Sequence, residues 1–416
     1  MIRGPCVQRC MRNWLKGEIG VSGLVATGVM EQAEPQPAAW SAVLALTLCV
    51  STLIASEFMP VSLLTPIAQD LHLSEGTAGQ AIAISGLFAV LTSLFIARLS
   101  AGVDRRHLLM GLTALMGLSG VVVAFAPDFL VLMLGRAMIG VVIGGFWSMS
   151  AATVMRLVPP ADVPRALALL NGGNALATTI AAPLGSFLGQ YIGWRGAFFV
   201  VVPMAGLTFA WKYFSLPSLP APADGPQVST FGVLRKPKVP LGMAAAALLF
   251  MGQFTAFTYF RPFLEQVTGV NVELLSLILL GMGAAGLVGN AVIGRLVARS
   301  LRCTLLLLPL AMVLIALGLT QWGHIPWVTG LLLALWGCIG TAVPVAWWAW
   351  LARTLPDDAE AGGGLMVAVI QMAITLGAAW GGWLFDRLGY AFTFYGAAGL
   401  LLASGVIGLI CVPKEA

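Results

Sequence analysis

The sequence predicts an all-α membrane protein: twelve transmembrane helices in two six-helix bundles related by a pseudo-two-fold axis. Three observations carry this expectation. The chain has 416 residues of which 59% are hydrophobic and only 9% charged, too apolar for a water-soluble fold of that length. Windows of about twenty apolar residues recur along it, each long enough to cross a hydrocarbon layer of ~30 Å. The two halves also repeat one another at a fixed offset of 196 residues.

Taken in order, residues 1–39 read as a disordered cytoplasmic tail. They carry Arg3, Arg9, Arg12 and Lys16, then a glycine-broken apolar run, then Glu31 and Glu34 among prolines. Met1, Met11 and Met30 each remain open as the start of translation. The N-terminal bundle is expected over 40–214, with spans near 41–64, 78–97, 107–126, 129–151, 166–189 and 196–214. A Pro-rich connector over 215–238, opening Ser215-Leu-Pro-Ser-Leu-Pro, cannot itself span. The C-terminal bundle follows over 239–412, with spans near 239–260, 273–294, 303–321, 325–349, 363–385 and 391–411.

Charge fixes the expected topology. With the N-terminus inside, 18 of the 22 Lys and Arg residues fall on the cytoplasmic side, and Arg195, Arg261 and Arg387 fall outside. Such a bias predicts that both termini are cytoplasmic. It also removes nucleic acid as a partner, because the net charge of +5 is spread over loops and forms no patch. Within the repeat, Gly185 pairs with Gly381, Gly193 with Gly389, Phe58 with Phe254, Pro66 with Pro262 and Arg106 with Arg302. Six spans apart means like orientation, so the axis relating the halves runs along the membrane normal, as in two-bundle secondary transporters.

Two charges lie inside spans. Glu57 interrupts an otherwise uncharged run from Ser41 to Leu64, where an ionised carboxylate costs roughly 2.5–3.5 kcal/mol and marks an ion or substrate pathway. The alternative is a carboxylate near a helix end that reaches the headgroups. Arg136, with Gly140 and Gly144 at helical spacing behind it, either holds backbone carbonyls of neighbouring helices or couples to Glu57. Lipid burial penalises the carboxylate and a nearby guanidinium stabilises it, a balance suited to loading and unloading a proton. The repeat places Gln253 opposite Glu57. Asn171 and Asn174 on the fifth span and Gln371 on the eleventh either bond to neighbouring helices or line a wet cavity. Trp147, Tyr259 and Trp347 either pack or stack on a flat ligand. No phosphate-binding loop is present, the histidines lie in loops, and no cysteine or histidine spacing suits a metal. The chain is therefore expected to be neither an enzyme nor a cofactor protein.

The run Leu132 to Gly140 resembles the fourth-span R-x-x-x-G motif of the major facilitator superfamily, in its twelve-span drug:proton antiporter branch. Ala182 to Phe199 resembles the branch's fifth-span region, with Thr178 and Ala182 where glycines are usual, and Asp104-Arg105-Arg106 is what remains of its loop motif. Longer runs, Glu57 to Leu71, Gly144 to Ala151, Met155 to Pro160, Gly252 to Pro262 and Val367 to Met372, are similar to the bacterial purine ribonucleoside efflux pumps. The resemblance implies the major facilitator fold in the bacterial cytoplasmic (inner) membrane. It implies export of inosine and guanosine by proton antiport through alternating access, driven by the proton gradient alone and by a monomer. Glu57 and Arg136 would couple the proton. Trp147, Asn171, Asn174, Gln253, Tyr259, Trp347 and Gln371 would meet the nucleoside. Sugar or multidrug efflux, and a membrane sensor that transports nothing, are the alternatives.

Overall fold

The computed structural model describes residues 38–100, 102–159, 162–220, 232–355 and 359–411. Most of the expected tail, and the middle of the connector, lie outside these. Among the described residues the fold is helical. The first half comprises α1 (Trp40–Asp70), α2 (Glu75–Leu99), α3 (Arg105–Ala124), α4 (Phe129–Leu157), α5 (Val163–Phe199) and α6 (Val201–Ser215). The second comprises α7 (Val239–Phe257), α8 (Val272–Arg299), α9 (Leu301–Trp322), α10 (Pro326–Thr354), α11 (Ala359–Leu388) and α12 (Tyr390–Cys411). A one-turn helix, Phe260–Phe263, and a π turn, Leu264–Thr268, prolong α7.

Short polar residues start these helices by accepting from the free N–H groups of the first turn. Asp104 caps α3 through Arg106 N (2.8 Å) and Ser300, 196 residues on, caps α9 through Cys303 N (3.2 Å). Asp104 also accepts from Leu219 N and Ser218, tying the loop before α3 to the chain after α6. Burial pushes its carboxyl upward, but the bonds from Ser218, Leu219 and Arg106 outweigh this and hold it below the usual range. His107 sits in the first turn of α3 rather than in a loop.

By length and hydropathy, eleven described segments qualify as spans, because Arg165–Ser215 forms one apolar run of 51 residues. Gly193 divides it. Its φ of 72° and ψ of 165° belong to a region open essentially to glycine alone, and they turn the chain back for a sixth crossing. Gly389, its repeat partner, has φ 86° at the turn between α11 and α12. Gly193→Ala meets no neighbouring atom yet forces an L-residue into that conformation. It should cost about 1–3 kcal/mol, read as lowered thermal stability in detergent.

The packing repeats as the sequence does. Helix α1 lies on α5 as α7 lies on α11, α2 on α4 as α8 on α10, and α3 on α6 as α9 on α12. The halves meet where α2 faces α11 and α5 faces α8. Lipid offers little apolar driving force between helices, so contact relies on small residues that let backbones approach. A methyl added at Gly144 of α4 would fall on the Ala89 carbonyl of α2, and one at Gly289 of α8 on the Cys338 carbonyl of α10. Gly144→Val should therefore separate α2 from α4 and lower thermal stability by about 1–3 kcal/mol.

Candidate functional site

Proline chemistry sets up the centre of the molecule. Helix α1 contains Pro60 and Pro66, which have no N–H to give to the carbonyls four residues earlier, those of Ser56 and Ser62. An unpaired carbonyl deep in a membrane protein needs another donor. Arg136 of α4 supplies one: its Nη1 donates to Ser56 O (2.7 Å) and its Nη2 to Glu57 O (3.2 Å). Nε donates to Ala81 O of α2 (3.0 Å), and Nη2 also to Ser85 Oγ (3.1 Å). The guanidinium, 1% exposed, thus ties α1, α2 and α4 together. Of the two readings its sequence position allows, holding carbonyls is directly observed. The arginine also acts electrostatically on the Glu57 carboxyl.

Glu57 is 6% exposed and does not extend to a helix end. The side chain of Gln371 on α11, also 6% exposed, lies near enough to act on the Glu57 carboxyl, which sets the acid of the first bundle beside an amide of the second. Beside it Phe58 stacks on Phe254 at 5.9 Å between ring centres and 26° between planes. These rings are repeat partners, so the pseudo-two-fold axis passes between them. Gln253, the repeat partner of Glu57, is half-buried and donates to Gly340 O (3.4 Å), the carbonyl that Pro344 of α10 leaves without an intrahelical donor. Its Oε1 is buried with no partner.

The other expected residues scatter around this centre. Trp147 of α4 is half-buried, edge-on to Phe146. Asn171 is exposed and donates to Leu167 O of its own helix (3.0 Å), while Asn174 is half-buried. Trp347 is buried against Trp350, and the indole N–H of each lacks an acceptor. Tyr259 lies between the bundles, stacked on Phe385, its hydroxyl donating to Ala378 O (2.9 Å). The structure brings Glu57, Arg136 and Gln371 together. It leaves Tyr259 with its hydroxyl bond already made by a neighbouring helix.

Two buried cations escape the sequence reading. Lys212 counts toward the cytoplasmic basic face, yet it is fully buried one turn inside the end of α6. Its Nζ donates to Cys49 Sγ and Thr113 Oγ1 (2.9 Å each) and lies 5.5 Å from the centre of the Phe146 ring. Arg261 counts as an outer-loop residue, yet it is 6% exposed and packed between the bundles. Both lie at the edge of a hydropathy window, where burial and exposure look alike in sequence.

Hydrogen bonds between the bundles gather at the end where α1, α5, α7 and α11 finish. Asp386 accepts from Ser74 and from Gly76 N (3.0 Å), and Gln190 donates to Glu273 (2.9 Å). Asp386 and Gln190 are again 196 residues apart, so each bundle closes on the other by an equivalent contact. Gln266 donates to Glu75 (3.0 Å), and Ser276 to Ser186 (2.9 Å).

Fold and centre define a class: a two-bundle membrane transporter with an occluded carboxylate at the boundary between its halves. The chain belongs to the Major Facilitator Superfamily, whose sequence pattern matches residues 44–365. It is 57% identical over 385 residues to the transcription regulatory protein OpdE of Pseudomonas aeruginosa, covering 92% of this chain and 96% of that protein. It is 43% identical over 368 residues to the purine ribonucleoside efflux pump NepI of Salmonella paratyphi B, covering 88% and 93%. To NepI of Escherichia coli O6:H1 it is 44% identical over 350 residues, covering 84% and 88%. Among solved structures, a bacterial homologue of the human lysosomal transporter Spinster, in an inward-facing and unoccupied conformation, matches with a TM-score of 0.67 at 15% identity. That match covers 90% of this chain and 96% of that one, and it bears on the fold alone.

Proposed function

We propose that the chain exports purine ribonucleosides, inosine and guanosine foremost, from the bacterial cytoplasm by proton antiport. The observation that carries this reading is Glu57, a carboxylic acid buried at 6% exposure in α1, with Arg136 on its backbone carbonyl and Gln371 of the other bundle nearby. A proton on Glu57 changes the charge at the boundary the two halves must rearrange across. The likeness to two NepI proteins supports the solute. The 18 to 3 distribution of basic residues supports cytoplasmic termini, which puts the hydrogen-bonded end of the bundles outside. Burial of Lys212 and Arg261 takes one residue from each side, leaving 17 to 2 and the same sense.

A neutral nucleoside would bind between the bundles on polar groups that lack partners, Gln253 Oε1 and Trp347 Nε1, with Gln371, Asn171 and Asn174 for its ribose hydroxyls. Trp147, half-buried, offers the base a flat face, and Tyr259 would do so only on leaving its stack with Phe385 as the bundles part. Entry of a proton to Glu57 from outside favours solute release and the return step. Energised inside-out vesicles should accumulate labelled inosine, and excess guanosine should compete while sugars and cationic drugs do not. Accumulation blocked by a sugar or drug instead would move the chain to the sugar or multidrug exporters.

The OpdE relative favours a second reading, a membrane protein that affects transcription. Export of a signalling solute reconciles the two. A regulatory effect that persists in a variant with no solute flux would favour a sensor over a transporter.

A further inference from the structure

We propose that Arg261 is the latch of the outer end of the solute pathway, working through the one carbonyl of α1 that Pro66 orphans there. The inference rests on the alternating-access reading above and names the contact that must break for the outer end to open. Arg261 stands in the one-turn helix Phe260–Phe263 of the second bundle, 6% exposed. Its Nη1 donates across the boundary to Ser62 O of α1. Position 66 is proline, so the N–H that would ordinarily bond that carbonyl within α1 is missing. In the closed conformation Arg261 is the donor it has. Once the bundles part, water can take over, so the bond favours the closed state selectively.

The arrangement also decides which half keeps the arginine. Arg261 Nε donates to Glu265 Oε1 (2.8 Å) one turn along its own segment, in the π turn Leu264–Thr268. The charge therefore leaves with the second bundle, still paired. The second Glu265 oxygen is buried without a partner, free to take a further guanidinium N–H when Ser62 is released. The first bundle has no counterpart, since the repeat places Thr65 opposite Arg261. The latch is thus one-sided, unlike the paired contacts of Asp386 and Gln190. A purely structural arginine would tie elements of one bundle, as Arg136 does.

The proline supplies the test. Pro66→Ala returns an N–H to α1 and satisfies the Ser62 carbonyl within the helix, removing the need for Arg261 without touching it. Spin labels at Tyr191→Cys on α5 and Leu277→Cys on α8, in a background lacking other cysteines, report the separation of the outer ends. Arg261→Ala should raise the separated population about tenfold or more, the weight of one hydrogen bond to a charged group. Pro66→Ala should raise it in the same direction, and the double variant should open no further than the stronger single one. Arg261→Lys, which keeps charge and volume but not the fork, guards against misfolding and should fall between wild type and Arg261→Ala. An unchanged distance distribution in Arg261→Ala, or strictly additive effects of the two substitutions, overturns the latch. The distances need no solute: a shifted distribution in a protein that fails to move inosine leaves the latch standing and removes the proposed substrate. An unshifted one in a protein that moves inosine does the reverse.

Discussion

Glu57→Gln abolishes proton-driven inosine accumulation while leaving a folded protein that still exchanges inosine down its gradient. The glutamine keeps the volume of the side chain and can bond to Gln371, so the packing around Phe58 and Phe254 is retained. What disappears is, among the described residues, the one group at this centre whose charge a proton can cancel. Exchange of one proton for a neutral solute is worth ~2.3 kcal/mol per 100 mV, which is about a fiftyfold gradient at 1.36 kcal/mol per decade. In the variant that ratio falls to one, measured in vesicles held at a fixed potential. Counterflow of labelled against unlabelled inosine remains within a few-fold of wild type. Loss of both activities would assign Glu57 to solute binding instead.

Arg136→Met produces the largest loss of stability expected from a single substitution in the first bundle. The change removes donors from Ser56 O, Glu57 O, Ala81 O and Ser85 Oγ. Membrane hydrogen bonds average ~0.6 kcal/mol each, and removing one partner of a buried charged network reaches ~3–5 kcal/mol. A loss of about 2–5 kcal/mol therefore follows, seen as a lower unfolding temperature in detergent. Arg136→Lys keeps the charge, but three donors on a flexible stem cannot reproduce the planar fork, so it recovers only part of the loss. A wild-type unfolding temperature in Arg136→Met would show that the four bonds contribute little.

Helix count, the division into halves and the repeat were legible because hydropathy and a fixed 196-residue offset need no knowledge of contacts. Gly193 and Gly389 illustrate this: paired by the repeat, both adopt the positive φ that turns the chain. Glu57 and Arg136 were legible because a charge in an apolar run stands out. Which of two readings applied to Arg136 was not, since that depends on which carbonyls its fork reaches. Pro60, Pro66 and Pro344 were visible as residues, yet the donors to their orphaned carbonyls come from distant positions: Arg136, Arg261 and Gln253. Lys212 could not be read as buried, because its acceptors, Cys49 and Thr113, are neutral and carry no charge pattern.

Coupling itself is tested most directly in proteoliposomes loaded with inosine and a pH-sensitive dye, diluted into inosine-free buffer with no imposed pH gradient. Efflux of the nucleoside should pull protons inward and acidify the lumen, and Glu57→Gln should release inosine without that acidification. Wild-type inosine efflux with no change in luminal pH would contradict proton antiport.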